Sequence, residues 1–153
     1  MIDCRRVADR AEQLFCDGYN CCESVAMALT EAMGIECVCL PGLATGMGGG
    51  VGHTGHICGA VTGGAMALGL VALRKNLSDH VAEKLWANEI VTELVDAFHR
   101  EFDSLACQDL IGMDWRAADS LDTYNARGCK ATCVSFVRFA ADWIAGRLDD
   151  RSP

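Results

Sequence analysis

The stretch Ile57 to Leu73, ICGAVTGGAMALGLVAL, decides the architecture. It is the longest apolar run of the chain, slightly short of the roughly 20 residues a membrane span needs, and Gly and Thr dilute it. It therefore reads as a buried core helix from about 57 to 74 rather than a membrane segment. Immediately upstream lies GMGGGVGHTGHICG (46–59), seven of whose residues are Gly. Gly serves where a backbone needs positive φ or must approach something closely, so this segment is expected to be a tight loop feeding the central helix.

Working outward, residues 4 to 16 place Cys4, Val7, Ala11, Leu14 and Phe15 on one helical face, with Asp17-Gly18 as a stop. Asn20 suits an N-cap, with Glu23 as its capping-box partner. The helix that follows runs to about Met33, with Cys21, Val25, Leu29, Ala32 and Met33 as its apolar stripe. Residues 35 to 40 form a connector, and Pro41 suits the first turn of a short helix in PGLATGMG. Residues 78 to 103 are expected to be helical, with Val91, Leu94, Val95, Phe98 and Phe102 at helical spacing. A short helix is expected at 104 to 112, an irregular polar loop at 113 to 127, and a last helix at about 128 to 147. The last helix carries Cys133, Val137, Ala140, Ala141 and Ile144 on one face. Period-two alternation is absent over any useful length. The expectation is an all-α, single-domain bundle over residues 1–153, of about five to seven helices, with the Gly-rich loop before the central helix.

Bulk properties narrow the function. The chain has 153 residues, 51% of them hydrophobic, and a formal net charge of −8. A domain of this size buries enough surface to fold without staples. The acidic balance argues against nucleic acid, which demands a basic patch, and against anionic membranes. The N-terminal MIDCRRVADRAEQLFCDG is charged and amphipathic, unlike a signal peptide. A cytoplasmic location follows as the expectation. The Gly-rich loop is neither GxxxxGK[ST] nor a GxGxxG after a strand, so nucleotide binding is rejected. The carboxylates form no paired site.

Ten cysteines remain to be explained. In a cytoplasmic chain with an adequate core they point to metal binding or redox chemistry more than to disulfides. Some of them simply fill the core as small hydrophobes; Cys4 and Cys16 are read that way. Cys58 stands where the Gly-rich loop enters a helix, whose free N–H groups and dipole favour negative charge. A thiolate there is expected to have a lowered pKa, and the thiolate is both nucleophile and metal ligand. Cys21 sits similarly after Asn20. Cys107 is expected in the first turn of a short helix, and Cys133 on an apolar face. Four thiolates match the ligand number of an iron–sulfur cluster or a structural zinc. Their spacings of 36, 48 and 25 intervening residues fit no linear motif. Cys22, beside Cys21, and Cys129, one turn before Cys133, are substitutes. Cys37 and Cys39 form a CxC suited to an auxiliary metal or disulfide site. His53 and His56 are lesser candidates as ligands or proton carriers; His80 and His99 read as helix-surface residues.

GYNCCESV, LATGMGGGVGHTGHICGAVTGGAMALGL, CQDLIG and CKATCVSFVRFAADWI together resemble the C_GCAxxG_C_C family of redox-active proteins, from about Ala8 to Ile144. The resemblance implies redox activity and a set of four characteristic cysteines, which by motif fall on Cys21, Cys58, Cys107 and Cys133. The chain is also similar to the cysteine-rich domain of split-Soret-type cytochromes, which implies an iron–sulfur cluster of unstated type. It has no CxxCH, so no haem is expected. It departs from the family pattern at Cys22, where Ala is typical, and by adding Cys37, Cys39 and Cys129.

The leading expectation is an electron-transfer protein, not necessarily an enzyme, that binds an iron–sulfur cluster through those four thiolates. Gly49, Gly50 and Gly59 would bring backbone N–H groups to the cluster. A redox partner protein is implied, and the small pairs Gly59/Gly63, Ala60/Gly64 and Ala65/Gly69 allow either an intrachain contact or a homodimer. The alternatives are a thiol–disulfide protein or sensor with Cys58 as the attacking thiolate, a zinc-binding structural or storage protein, and a scaffold whose cysteines only fill the core.

Overall fold

The computed structural model describes residues 2–150. Among these, eight helices and no strand occur: α1 Cys4–Cys16, α2 Cys21–Ala32, α3 Gly42–Thr45, α4 Gly59–Arg74, α5 His80–Phe102, α6 Cys107–Ile111, α7 Ser120–Ala126 and α8 Cys129–Asp150. The all-α, single-domain expectation holds, with eight helices among the described residues where about five to seven were expected. None of the helices is long and apolar enough to cross a membrane.

The centre of the bundle is α4. Its residues are apolar on nearly every side, so it gains most by being surrounded. Val61, Ala67, Leu68 and Val71 are buried, and α2, α5 and α8 pack around it. Its glycines set how near those neighbours come. A Cβ on Gly63 would run into the carbonyl oxygen of Cys22 in α2, and one on Gly64 would meet Ile144 in α8 and Leu94 in α5. Gly59, Gly63 and Gly64 are therefore used within the chain. Gly69 has nothing within 4 Å of where its Cβ would stand. Leu29, Leu68, Ile90, Leu94, Phe98 and Ile144 are fully buried. Each such side chain contributes about 1.5–3 kcal/mol of hydrophobic driving force. Phe98, Phe102, Phe136 and Phe139 form an aromatic cluster between α5 and α8, with centroids 4.7–5.9 Å apart.

The start of α2 is set by the expected capping box. Asn20 Oδ1 accepts from the Glu23 N–H at 3.0 Å, and the Glu23 carboxylate accepts from the Asn20 N–H at 2.7 Å. Glu23 is buried, and its second oxygen accepts from the Thr45 hydroxyl at 2.6 Å. This pins α3 and the Gly-rich loop over the first turn of α2. At the surface, Arg138 of α8 bridges Asp9 and Glu12 of α1.

Four expectations change. Residues 113–127 are not wholly irregular, because α7 occupies Ser120–Ala126; it buries no residue, so it leaves no apolar periodicity to read. The single stripe assigned to α2 is too narrow: Cys22, Glu23, Ser24, Ala26, Ala28 and Thr30 are also buried, while Ala32 is exposed. Cys16 is exposed at the end of α1 rather than in the core, and Cys4 is half-buried. Pro41 takes the N-cap position of α3 rather than its first helical residue.

Candidate functional site

The Gly-rich loop winds left-handed. Gly49, Gly50, Val51, Gly52 and His53 have φ of 62°, 71°, 63°, 62° and 56° in succession. L-residues visit this region as isolated residues rather than runs, and a β-branched Val there is strained. Three of the five being Gly makes the run affordable, and closing bonds such as Gly55 N–H to Gly49 O (3.1 Å) hold it. The coil leaves the Gly49 N–H aimed at the Cys21 sulfur.

Below the loop, Cys58 is the N-cap of α4 rather than a residue inside it. Its N–H donates to Leu105 O at 2.8 Å, while Ile57 pairs with Ala106 in an isolated bridge. The Cys107 and Gln108 N–H groups return to His56 O and Gly55 O. These bonds stitch α6 to the loop. Cys107 is the first residue of α6, Cys21 the first of α2, and Cys133 lies one turn into α8.

Four elements so placed bring Cys21, Cys58, Cys107 and Cys133 around one cavity of about 10 Å³, lined also by Leu110, Ile111 and Phe136. That volume is roughly one water molecule. Each sulfur has a donor of its own. Cys21 has the Cys58 thiol and the N–H groups of Gly49 and Cys22, and Cys58 has the Ala60 N–H. Cys107 accepts from Trp115 Nε1–H at 3.3 Å, and the Tyr124 hydroxyl lies within hydrogen-bonding reach of Cys133.

These surroundings reverse one expectation. The Cys58 thiol, acting as donor to Cys21 and buried in an apolar wall, is held well above the ordinary thiol range. Cys21 is the acidic member, lowered to about 7 by the hydrogen bond from Cys58 and by the loop N–H groups, against the opposing effect of burial. Both thiols stand at a helix start, but four donors converge on Cys21 (the Cys58 thiol and the N–H groups of Gly49, Cys22 and Cys21 itself), whereas Cys58 gives its proton away. Burial raises Cys107, and it pushes Cys133 up to about 12 despite the Tyr124 hydroxyl.

A titration checks this. In the metal-free, reduced protein, one thiolate should appear near pH 7 in ultraviolet absorbance and disappear below it. A lowered pKa means the anion is favoured above that pH and lost as pH falls through it. In Cys58→Ala protein the midpoint should rise, because the largest stabilising donor is gone. An unchanged midpoint would contradict the assignment.

The substitutes are placed elsewhere. Cys22 is fully buried against α4, with its Sγ 3.8 Å from Met66 Sδ, and burial raises its pKa to about 11. Cys129 is buried in the core and does not line the cavity. Cys37 and Cys39 sit on the connector, half-buried and exposed. His53 and His56 are exposed and outside the cavity wall. Gly50 backs onto Cys107, and a Cβ there would stand 2.8 Å from Cys107 Cβ; a Cβ on Gly59 would strike Cys21 Sγ. Two contributors, Trp115 and Tyr124, escaped sequence reading; large aromatics inside an otherwise polar segment were the available hint.

The donor set is thiolate only, with no carboxylate or imidazole in the wall, the kind of set that zinc, Cu(I) and iron–sulfur clusters share. Among the described residues, no group of three or more His, Cys, Asp or Glu is drawn together tightly enough for a single metal ion. At about 10 Å³ the cavity is smaller than a cluster, so its lining would have to move apart to admit one.

No curated protein and no solved structure matches the chain. A family model does match, over residues 19–146, with the description "Putative redox-active protein (C_GCAxxG_C_C)". That span runs from just before Cys21 to beyond Cys133, and the chain belongs to the C_GCAxxG_C_C family.

Proposed function

We propose that this protein is an electron carrier whose redox centre is an iron–sulfur cluster held by Cys21, Cys58, Cys107 and Cys133. The observation that supports this best is the convergence of four thiols, from four separate elements, on one small cavity with an otherwise apolar lining. Four cysteines are the common ligand set of such clusters. When bound, the cluster supplies reversible one-electron chemistry. The chain's own residues do the rest. Cys21 ionises near neutral pH and offers the first thiolate. The Gly49, Cys22 and Ala60 N–H groups, the Trp115 indole and the Tyr124 hydroxyl direct positive dipoles at the sulfurs and so favour the more negative, reduced state. Leu110, Ile111 and Phe136 exclude water. A carrier of this kind needs a redox partner protein and no substrate pocket, and a reducing compartment such as the cytoplasm keeps its ten thiols available.

A second reading draws on a specific observation, the Cys58 thiol donating to the acidic Cys21. In that reading the pair is a dithiol that closes to a disulfide, and Cys21, not Cys58, is the attacking thiolate. A lone zinc would need its sulfurs about 2.3 Å from one point, a tighter grouping than these thiols have.

Purification without oxygen, followed by visible spectroscopy and assay of iron, zinc and acid-labile sulfide, separates the three. A brown protein with iron and sulfide is the expected result. A colourless, metal-free protein with a reversible disulfide would establish the dithiol instead, and zinc without sulfide a structural or storage site.

A further inference from the structure

Two of the four sulfurs are connected to the surface by aromatic rings. Trp115 donates its Nε1–H to Cys107 Sγ at 3.3 Å. The Trp115 ring lies against Tyr124, with centroids 5.1 Å apart and planes at 32°, and the Tyr124 hydroxyl reaches Cys133. On its other side Trp115 meets the exposed His53 imidazole edge-on at 4.7 Å. Three conjugated rings in contact thus lead from Cys107 and Cys133 to solvent. The donors to Cys21, by contrast, are the Cys58 thiol and backbone N–H groups, and the donor to Cys58 is the Ala60 N–H. The segment that carries Trp115 is irregular yet anchored: Met113 is buried, Arg127 donates to Gly112 O at 2.7 Å, and the Arg116 N–H donates to Asp114 at 2.8 Å.

We propose that the Trp115–Tyr124 pair, edged by His53, is the port through which the buried thiol centre passes single electrons to a partner protein with a surface-exposed one-electron acceptor group. The proposal rests on reading the four-cysteine cavity as a redox centre. Electron transfer falls off steeply with distance and is carried better through packed rings and hydrogen bonds than across a gap. In the step, the reduced centre loses one electron and the partner's acceptor gains it. No bond is made or broken, and no proton or leaving group moves. The left-handed turn at His53 places its ring on Trp115, so the loop that supplies an N–H to Cys21 also forms the rim of the port. Electron-transfer encounters are weak and bury less than about 1,200 Å², so a face of this extent suffices.

The other aromatic route runs from Phe136 of the cavity wall to Phe102 and Phe139, and it makes no hydrogen bond to a sulfur. The two routes give different predictions. The protein, reduced without oxygen, is mixed in stopped flow with ferricyanide, a one-electron oxidant too large for the cavity. Compared at equal driving force, Trp115→Leu should slow oxidation by about tenfold or more. Trp115→Phe, which keeps a ring, should slow it much less, and Phe139→Leu should leave it unchanged. Separately, both Trp115 variants should lower the midpoint potential, because each removes a donor that stabilises the reduced centre. Tyr124→Leu interrupts the same stack from α7 and supplies the rate test should Trp115→Leu fail to fold.

If the protein carries no iron or sulfide, the cluster reading fails, and the same mixing experiment still tests the port. Two ferricyanide ions then take two electrons from two thiols, two protons leave and one S–S bond forms, read as loss of free thiol. A Trp115→Leu protein as fast as the wild type, or slowing by Phe139→Leu alone, would overturn the port in either case.

Discussion

Cys58→Ser is expected to abolish the redox centre while leaving the helical fold in place. Cys58 is held on three sides by backbone bonds: its N–H to Leu105 O, and its carbonyl to the N–H groups of Val61 and Thr62 that begin α4. Only the side chain is free to serve the cavity. Ser is well suited to an N-cap, so the substitution keeps the helix start and removes the sulfur. It also weakens the hydrogen bond that makes Cys21 acidic, and so damages two of the four sites at once. Losing an outer-shell partner already costs metal sites about 10–100-fold in affinity, and losing a ligand together with its neighbour's partner should cost more. Iron and acid-labile sulfide in the anaerobically purified variant should fall to background, with far-ultraviolet circular dichroism unchanged. Cys4→Ser is the comparison. Cys4 is half-buried at the far end of α1, facing Gly146, and its loss should leave metal content and colour intact. Equal, undiminished loading of both variants would refute the site.

The second large effect is structural and has opposite signs on one helix. A Cβ at Gly63 would meet the backbone of Cys22, whose Cα stands 3.0 Å and carbonyl carbon 3.1 Å from its position. Backbone cannot rotate aside, so α2 must move from α4. Overpacking of this kind costs about 1–3 kcal/mol, or roughly 2–12 °C in Tm for a chain of this length. The displaced segment holds Cys21, so metal content should fall with stability. At Gly69 a Cβ meets nothing within 4 Å. Gly69→Ala should therefore show only the helix-propensity gain, up to about 1 kcal/mol of stabilisation. Thermal melts of the two variants side by side decide the matter; a Gly63→Ala protein as stable as Gly69→Ala would mean that α2 and α4 are not held at this distance.

Much of the bundle was legible because burial repeats along a helix. Val91, Leu94, Val95, Phe98 and Phe102 mark α5, and Val137, Ala140, Ala141 and Ile144 mark α8, by spacing alone. The capping box of Asn20 and Glu23 locates α2 from chemistry that is local in the chain. α7 was hidden for the complementary reason: it buries no residue. Cys16 looked like core because it closes an amphipathic segment, yet α1 turns it outward.

The site divides along the same line. Composition and the Gly-rich loop pointed to Cys58 and Cys21, and the family motif added Cys107 and Cys133, with Cys22 and Cys129 still beside them as substitutes; the four first named are those the structure brings around one cavity. Which cysteine is acidic was not legible. Helix-start location made Cys58 and Cys21 look alike, and the difference arises from who donates to whom across the cavity, Cys58 to Cys21, with the Gly49 N–H added from a left-handed coil. Likewise Cys22 and Cys129 could be separated from their neighbours only by the direction in which α2 and α8 turn them. Trp115 and Tyr124 lie eight and nine residues from Cys107 and Cys133 in the chain, with no periodicity to link them to either. The sequence determined the helices that bury a face, where the glycines must be and which cysteines were candidates, because helix periodicity, capping and backbone freedom are local. Only the tertiary structure decided which thiols meet, which one ionises and which rings lead out from them, because distance, burial and donor direction are set by elements remote from one another in the chain.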